Sequence, residues 1–172
     1  MPVPICYCPP DCFRGDKIVL PDDEARHISR VLRLNVGDSL ITVDGEGVAY
    51  QGRLIEDERW GGTSMQIGST LAQFGEPRVR LTLAFGLSVG SKADEIVEKG
   101  TELGVSQFMP LFTEKSKVRL DDMTKAIRKS DRLTRVAIAA MKQCRRSRLP
   151  QICTPTDVAS FLKGLPDDHS VP

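Results

Sequence analysis

The stretch Leu81 to Gly104, LTLAFGLSVGSKADEIVEKGTELG, constrains this chain most, because it reads as strand, turn and helix in immediate succession. Leu81, Leu83 and Phe85 lie in a nearly continuous apolar run, the pattern of a strand covered on both faces in an α/β sheet. Gly86 to Asp94 turns the chain, and Ser91 or Asp94 can cap the next helix. Ala93, Ile96, Val97, Gly100 and Leu103 recur at helical spacing, and Gly104 stands where a left-handed C-terminal cap belongs. Phe108 to Phe112 supplies another strand. Strand, crossover helix and strand of this length make a right-handed parallel unit, and such sheets take ligands at the carboxyl ends of their strands.

The region before this unit has a different rhythm. Short strands are expected at Val3 to Tyr7, Lys17 to Leu20, Ser39 to Val43, Val48 to Ile55 and Thr63 to Leu71, with Asp44 to Gly47 as a hairpin turn and Trp60-Gly61-Gly62 as another. Pro21, Asp22 and Asp23 open a helix through Arg33, with Ala25, Ile28, Val31 and Leu32 as its apolar stripe. Many short strands and one early helix predict a small, partly closed β-barrel over residues 1–72. Gln73 to Pro77 has no periodicity and contains Gly and Pro, so it reads as a linker to an α/β region at 78–172. There a long helix is expected from Asp122 to Ser147, stopped by Pro150, then a strand at Gln151 to Cys153 and a helix at Thr154 to Leu162.

A chain of 172 residues can bury a real core. No apolar run is long enough to span a bilayer and the N-terminus has no basic-then-hydrophobic segment, so the chain reads as cytoplasmic with no membrane partner. The five cysteines read as free thiols. Cys6, Cys8 and Cys12 crowd together, but their spacing is not that of paired zinc knuckles, and no metal is expected.

Charge carries more information. Between Lys125 and Arg148 stand nine basic residues against Asp131 alone, a net charge of +8, so the other residues together carry −7. At the helical rotation, Arg128, Arg132, Arg135, Lys142 and Arg146 fall within about 80° of one another, opposite Leu133, Val136, Ala137, Ala140, Met141 and Cys144. A solvated face is the ordinary explanation of such a pattern; the nearly unbalanced charge favours contact with nucleic acid. His27, Arg30 and Arg33 would add phosphate or sugar contacts from the small barrel.

Catalytic motifs are scarce. GLSVGSK at 86–92 fails as a nucleotide-binding P-loop, since three residues rather than four separate its glycines and Ser91 precedes Lys92. Lys92 can still meet an anion at the strand-to-helix turn. His27 and His169 lie in no triad setting, and Asp94, Glu102 and Glu114 are explained equally well by salt bridges and capping. The residues themselves lead to an RNA-binding α/β protein and stop short of a reaction.

Five segments in order carry a resemblance: EARHISRVLRLNVGD at 24–38, VDGEGVAYQGRL at 43–54, GSKADEIVEKGTELGVSQFMPL at 90–111, TEKSKVRL at 113–120 and KQCRRSRLPQI at 142–152. Together the chain resembles the bacterial-type 16S rRNA uridine N3-methyltransferases of the SPOUT superfamily. The resemblance implies an N-terminal PUA-like β-barrel followed by a SPOUT (α/β knot) methyltransferase domain, S-adenosylmethionine as methyl donor, 16S rRNA of the small ribosomal subunit as partner, and a homodimer. It further implies that His27, Arg30 and Arg33 face RNA from the barrel, and that Lys92, Arg146 and Arg148 are basic positions near the catalytic cleft. Arg145 departs from the family, which has a small residue there. The family's glycine-rich donor-binding segment and knot have no counterpart up to Pro172. The SPOUT domain is therefore expected to be incomplete, the donor pocket to lie beyond Pro172, and these residues alone to bind the donor weakly or not at all and to be inactive. A non-catalytic RNA-binding module is the alternative reading, and a structural ribosome-associated factor a third.

Overall fold

The computed structural model describes residues 3–57, 62–88, 91–113 and 123–165. The expected Trp60-Gly61 turn, the charged loop after Thr113 with Glu114, and His169 lie outside them. The chain divides into two compact units, Met1–Arg78 with Ile138–Leu149, and Val79–Ala137 with Pro150–Pro172.

In the first unit, strands β1 (Ile5–Tyr7), β2 (Phe13–Arg14), β3 (Lys17–Val19), β4 (Ser39–Val43), β5 (Val48–Asp57) and β6 (Gly62–Ala72) form one sheet in the order β1-β4-β5-β6-β3-β2. Only β1 and β4 run parallel. The described pairings form an open path, with β1 and β2 at its edges. The β4–β5 turn is held by Asp44, whose Oδ1 accepts from the backbone amides of Glu46, Gly47 and Val48 at 2.7, 3.0 and 3.0 Å. Cys6 and Cys8 share one face of the chain and are buried with Ile18, Leu20, Ile28, Leu40, Leu54 and Met65. A second cluster joins Ile41, Val43 and Ala49 to Met141.

The early helix is shorter than expected. Helix α1 (Asp22–Arg26) passes into a five-residue π-helical turn, His27–Val31, in which the Leu32 amide bonds the His27 carbonyl at 3.1 Å. The added residue in that turn rotates the side chains after it away from the α-helical stripe. Ile28 is buried, whereas Val31 and Leu32, assigned to the same stripe, are 65% and 37% exposed. Arg33 then takes a left-handed conformation, φ 55°.

The second unit is a parallel sheet of β7 (Leu81–Gly86), β8 (Val105–Phe112), β9 (Gln151–Ile152) and β10 (Thr156–Asp157), with β7, β9 and β10 all pairing with β8. Helix α2 (Lys92–Glu102) makes the crossover from β7 to β8, as the spacing predicts. Gly104 provides its left-handed exit, φ 95°. Phe85 and Phe108 meet edge to face with centroids 6.4 Å apart, and Ala93, Val97, Leu133 and Ala137 are buried in the same unit. Leu81 is 47% exposed. The expectation that β7 is covered on both faces therefore holds only toward its carboxyl end. Helix α3 (Met123–Gln143) ends four residues before the expected Ser147, and α4 (Val158–Lys163) starts four residues after the expected Thr154, behind the short strand β10. No helix among the described residues is long and apolar enough to cross a membrane.

Candidate nucleic-acid interface

In the first unit, α1 places three acids in its first turn and then releases a run of cations. Glu24 is turned inward and paired with Lys142. Arg26 folds back on the Asp22 carbonyl at 3.1 Å. His27, Arg30 and Arg33 are exposed on the π-helical turn and the left-handed residue after it. That turn thus presents cations beside the exposed apolar side chains of Val31 and Leu32.

The end of α3 behaves differently from its helical projection. The helix stops at Gln143, and Arg145, with φ 61°, reverses the chain and lays its guanidinium over the Phe74 ring at 5.9 Å while donating to the Val3 carbonyl. Arg146 is consequently buried. Its Nε and Nη2 donate to Glu76 Oε2 at 3.2 and 2.8 Å, and Glu76 Oε1 accepts the amides of Ser147 and Arg148 at 2.9 and 2.8 Å. The segment also bonds the β4–β5 turn through the Gly47 amide to the Ser147 carbonyl and the Leu149 amide to the Gly45 carbonyl. Arg148 is half-buried above Gly47. Assignment of Lys142 and Arg146 to a shared solvent-facing basic stripe is therefore corrected: Lys142, still within α3, is engaged by Glu24, and Arg146 by Glu76, because the helix has ended and the chain has turned inward.

In the second unit, Lys92 is exposed as the first residue of α2, with Ser91 at the N-cap position but making no side-chain capping bond. Asp94 pairs with Arg132. Arg128 and Arg135 are exposed on α3, and Arg135 Nε bonds the Asp131 carbonyl. One cation absent from the helical projection stands out. Lys129 is partly buried, and its Nζ donates to the Ser88 carbonyl, just past the carboxyl end of β7, at 2.7 Å. Burial pushes its ammonium below the usual lysine range, an effect Asp94 opposes and Arg132 reinforces. The helical rotation sets Lys129 about 100° from Arg128, off the basic face, but nothing in the sequence foretells its bond to Ser88.

The cysteines are elsewhere. A hydrogen bond with Cys6 that favours the neutral thiol, together with burial, pushes Cys8 far up, and Cys6 Sγ lies 3.3 Å from Thr42 Oγ1. Among the described residues no three His, Cys, Asp or Glu side chains converge as a metal site would require.

Residues 75–171 match the family described as RNA methyltransferase domain, and residues 20–59 match the RNA methyltransferase PUA domain. The chain belongs to the RNA methyltransferase family. It is 34% identical over 143 residues to ribosomal RNA small subunit methyltransferase E of Bacillus subtilis, covering 83% of this chain and 54% of that one. The protein of the same name from Synechocystis is 30% identical over 85% of this chain and 46% of its own length. Among solved structures, ribosomal RNA small subunit methyltransferase E from Neisseria gonorrhoeae, bound to S-adenosyl methionine, superposes with a TM-score of 0.82 at 28% identity, covering 96% of this chain and 67% of that one. This chain thus spans about half the length of the two sequence relatives.

Proposed function

We propose that this chain belongs to an enzyme that transfers the methyl group of S-adenosylmethionine to N3 of a uridine in 16S rRNA, acting as a cytoplasmic homodimer. In this reading the first unit is a PUA-like barrel that holds the RNA, and the second is the leading part of a SPOUT domain whose knot lies outside these residues. The observation that carries it is that one chain holds both a cation-bearing turn in a PUA unit and a parallel strand–helix–strand unit with a partly buried cation just past the carboxyl end of β7.

The chemistry divides accordingly. S-adenosylmethionine supplies an electrophilic methyl group. The uridine must present N3 in line with that carbon and lose its imide proton, so orientation is a large share of the acceleration. Among the described residues just past the carboxyl end of β7, Ser88 Oγ is buried without a hydrogen-bond partner, and the carbonyl of the same residue accepts from the Lys129 ammonium. That environment suits an oxyanion and not the donor's sulfonium, so this corner is not where the methyl-bearing sulfur sits. The part of the described residues is to bind and orient RNA: His27, Arg30 and Arg33 from the first unit, and Lys92, Arg128 and Arg135 from the second, are exposed cations available for phosphates.

A titration of the purified chain with a small-subunit rRNA helix, repeated across salt concentrations, tests this. Binding is expected to weaken steeply with salt, and the combined His27→Ala, Arg30→Ala, Arg33→Ala variant to flatten the salt slope by about 0.9 for each phosphate no longer neutralised. Calorimetry with S-adenosylmethionine on the same chain is expected to show little heat. Tight stoichiometric donor binding would place the cradle within these residues, and RNA binding indifferent to salt would remove the assignment altogether.

A further inference from the structure

Lys129 is an unusual member of its helix. Asp94 lies close enough to influence it but is bonded to Arg132. Among the described residues no carboxylate forms an ion pair with Lys129, and its ammonium donates to the Ser88 carbonyl. An ammonium has three donors, so two remain. The Ser88 hydroxyl oxygen, in the residue that receives that bond, is buried without a hydrogen-bond partner. The Leu87 amide bonds the Leu111 carbonyl at 2.8 Å, tying the end of β7 to β8, and Leu133 anchors α3 in the unit's core one turn after Lys129.

A partly buried cation without an ion-pair partner among the described residues and an orphaned hydroxyl in the residue that it bonds are each unfavourable alone, and an oxyanion that reached both would relieve both. The Asp94–Arg132 pair is already neutral, so the corner carries about one uncompensated positive charge. We propose that Lys129 and the Ser88 hydroxyl form an anion-binding corner at the carboxyl end of β7 that takes one phosphodiester oxygen of the substrate RNA, Lys129 supplying charge and Ser88 direction. The inference rests on the RNA-binding reading above and adds to it a contact in the second unit, separate from the cation-bearing turn of the first.

The test has two arms on the intact chain. In the first, lysine side chains are labelled with 13C at Cε, the Lys129 signal is assigned by its loss in Lys129→Arg, and inorganic phosphate is titrated at constant ionic strength. Lys129 is expected to shift saturably, while Lys142, held by Glu24, stays in place. In the second, Lys129→Met is expected to weaken RNA binding several-fold and flatten the salt slope by about 0.7 to 0.9, one phosphate's share. Lys129→Arg restores the slope, and Ser88→Ala weakens binding without changing it. A Lys129→Met variant that melts earlier but keeps the full slope would make the lysine a purely structural prop and overturn the proposal. Phosphate moving Lys129 in a chain that binds no RNA would overturn RNA as the source of the anion and the broader reading with it. RNA binding with no response at Lys129 would overturn the corner alone.

Discussion

A methyl group added at Gly100 would stand 2.6 and 2.7 Å from two ring carbons of Phe108, a side chain with no exposed surface. Glycine here is the condition for α2 to approach β8, and its cost in helix propensity is accepted for that contact. Gly100→Ala gains about 1 kcal/mol of propensity but overpacks the core by about 1–3 kcal/mol. The net loss is about 0–2 kcal/mol, so the variant is expected to melt up to about 8 °C lower by calorimetry, and a higher Tm would mean that the ring has room to move. Glu76 is the second residue whose surroundings decide its role. Its side chain and that of Arg146 are 5% and 3% exposed, and removing one partner of such a pair costs about 3–5 kcal/mol. Glu76→Ala is expected to lose that amount in urea unfolding. Replacing both partners by apolar residues, Glu76→Leu with Arg146→Met, would rescue a simple ion pair, yet here the Arg148 amide would also lose its acceptor. About 1–3 kcal/mol of loss should therefore remain, and full recovery would show that the carboxylate matters to Arg146 alone.

At the scale of elements, β4 matches its expected bounds, and the β7–α2–β8 unit has the expected order because the helical period, the Gly104 exit and the segment lengths point the same way there, although Ser91 makes no capping bond and β7 is buried only toward its carboxyl end. Two elements depart from expectation for physical reasons that sequence period does not carry. Ile28, Val31 and Leu32 fit an α-helical stripe, and only the π-helical turn sends the last two outward. In QCRRSR no glycine or proline announces the end of α3, because Arg145 takes the left-handed conformation that glycine usually fills. The cation pattern of the candidate interface was legible for the same reason that it misled: charge can be counted in a sequence, but Lys142 and Arg146 facing Glu24 and Glu76 cannot. Helix α4 is capped by Asp157, three residues after its expected start at Thr154. Asp157 accepts from the Ser160 amide at 2.8 Å and from its hydroxyl, and those bonds, the hydroxyl first, hold the carboxyl below the ordinary aspartate range. A depressed folded-state pKa contributes stability above the unfolded value, which is lost as pH falls through the folded one. The Ser160 amide resonance is expected to shift in acid with a midpoint below that of a free aspartate, and Asp157→Asn to abolish the transition. A midpoint at the free value would deny the cap.

For the whole molecule, the contrast between the +8 segment and the −7 remainder is partly internal, since Glu24 and Glu76 draw Lys142 and Arg146 into the first unit. Residues 138–149 are thus a structural part of that unit although 59 residues of the other, Val79–Ala137, precede them in the chain. They supply the fully buried Met141 to Ile41, Val43 and Ala49, and cations to two inward-facing carboxylates. Losing a methionine-sized side chain from a core costs about 2–5 kcal/mol, and leaving a buried charge unpaired about 3–5 kcal/mol each. Together these losses reach the whole stability of an ordinary domain, about 5–15 kcal/mol. A fragment of residues 1–78 is therefore expected to give a poorly dispersed amide spectrum and no cooperative thermal transition, whereas the same fragment joined through a flexible linker to residues 138–149 should give both. Joining it instead to a 138–149 segment carrying Met141→Ala and Arg146→Ala should restore neither. If residues 1–78 alone fold cooperatively at the temperature of the intact chain, the helix end is an ornament on a self-sufficient PUA unit, and the buried pairs contribute far less than their geometry implies.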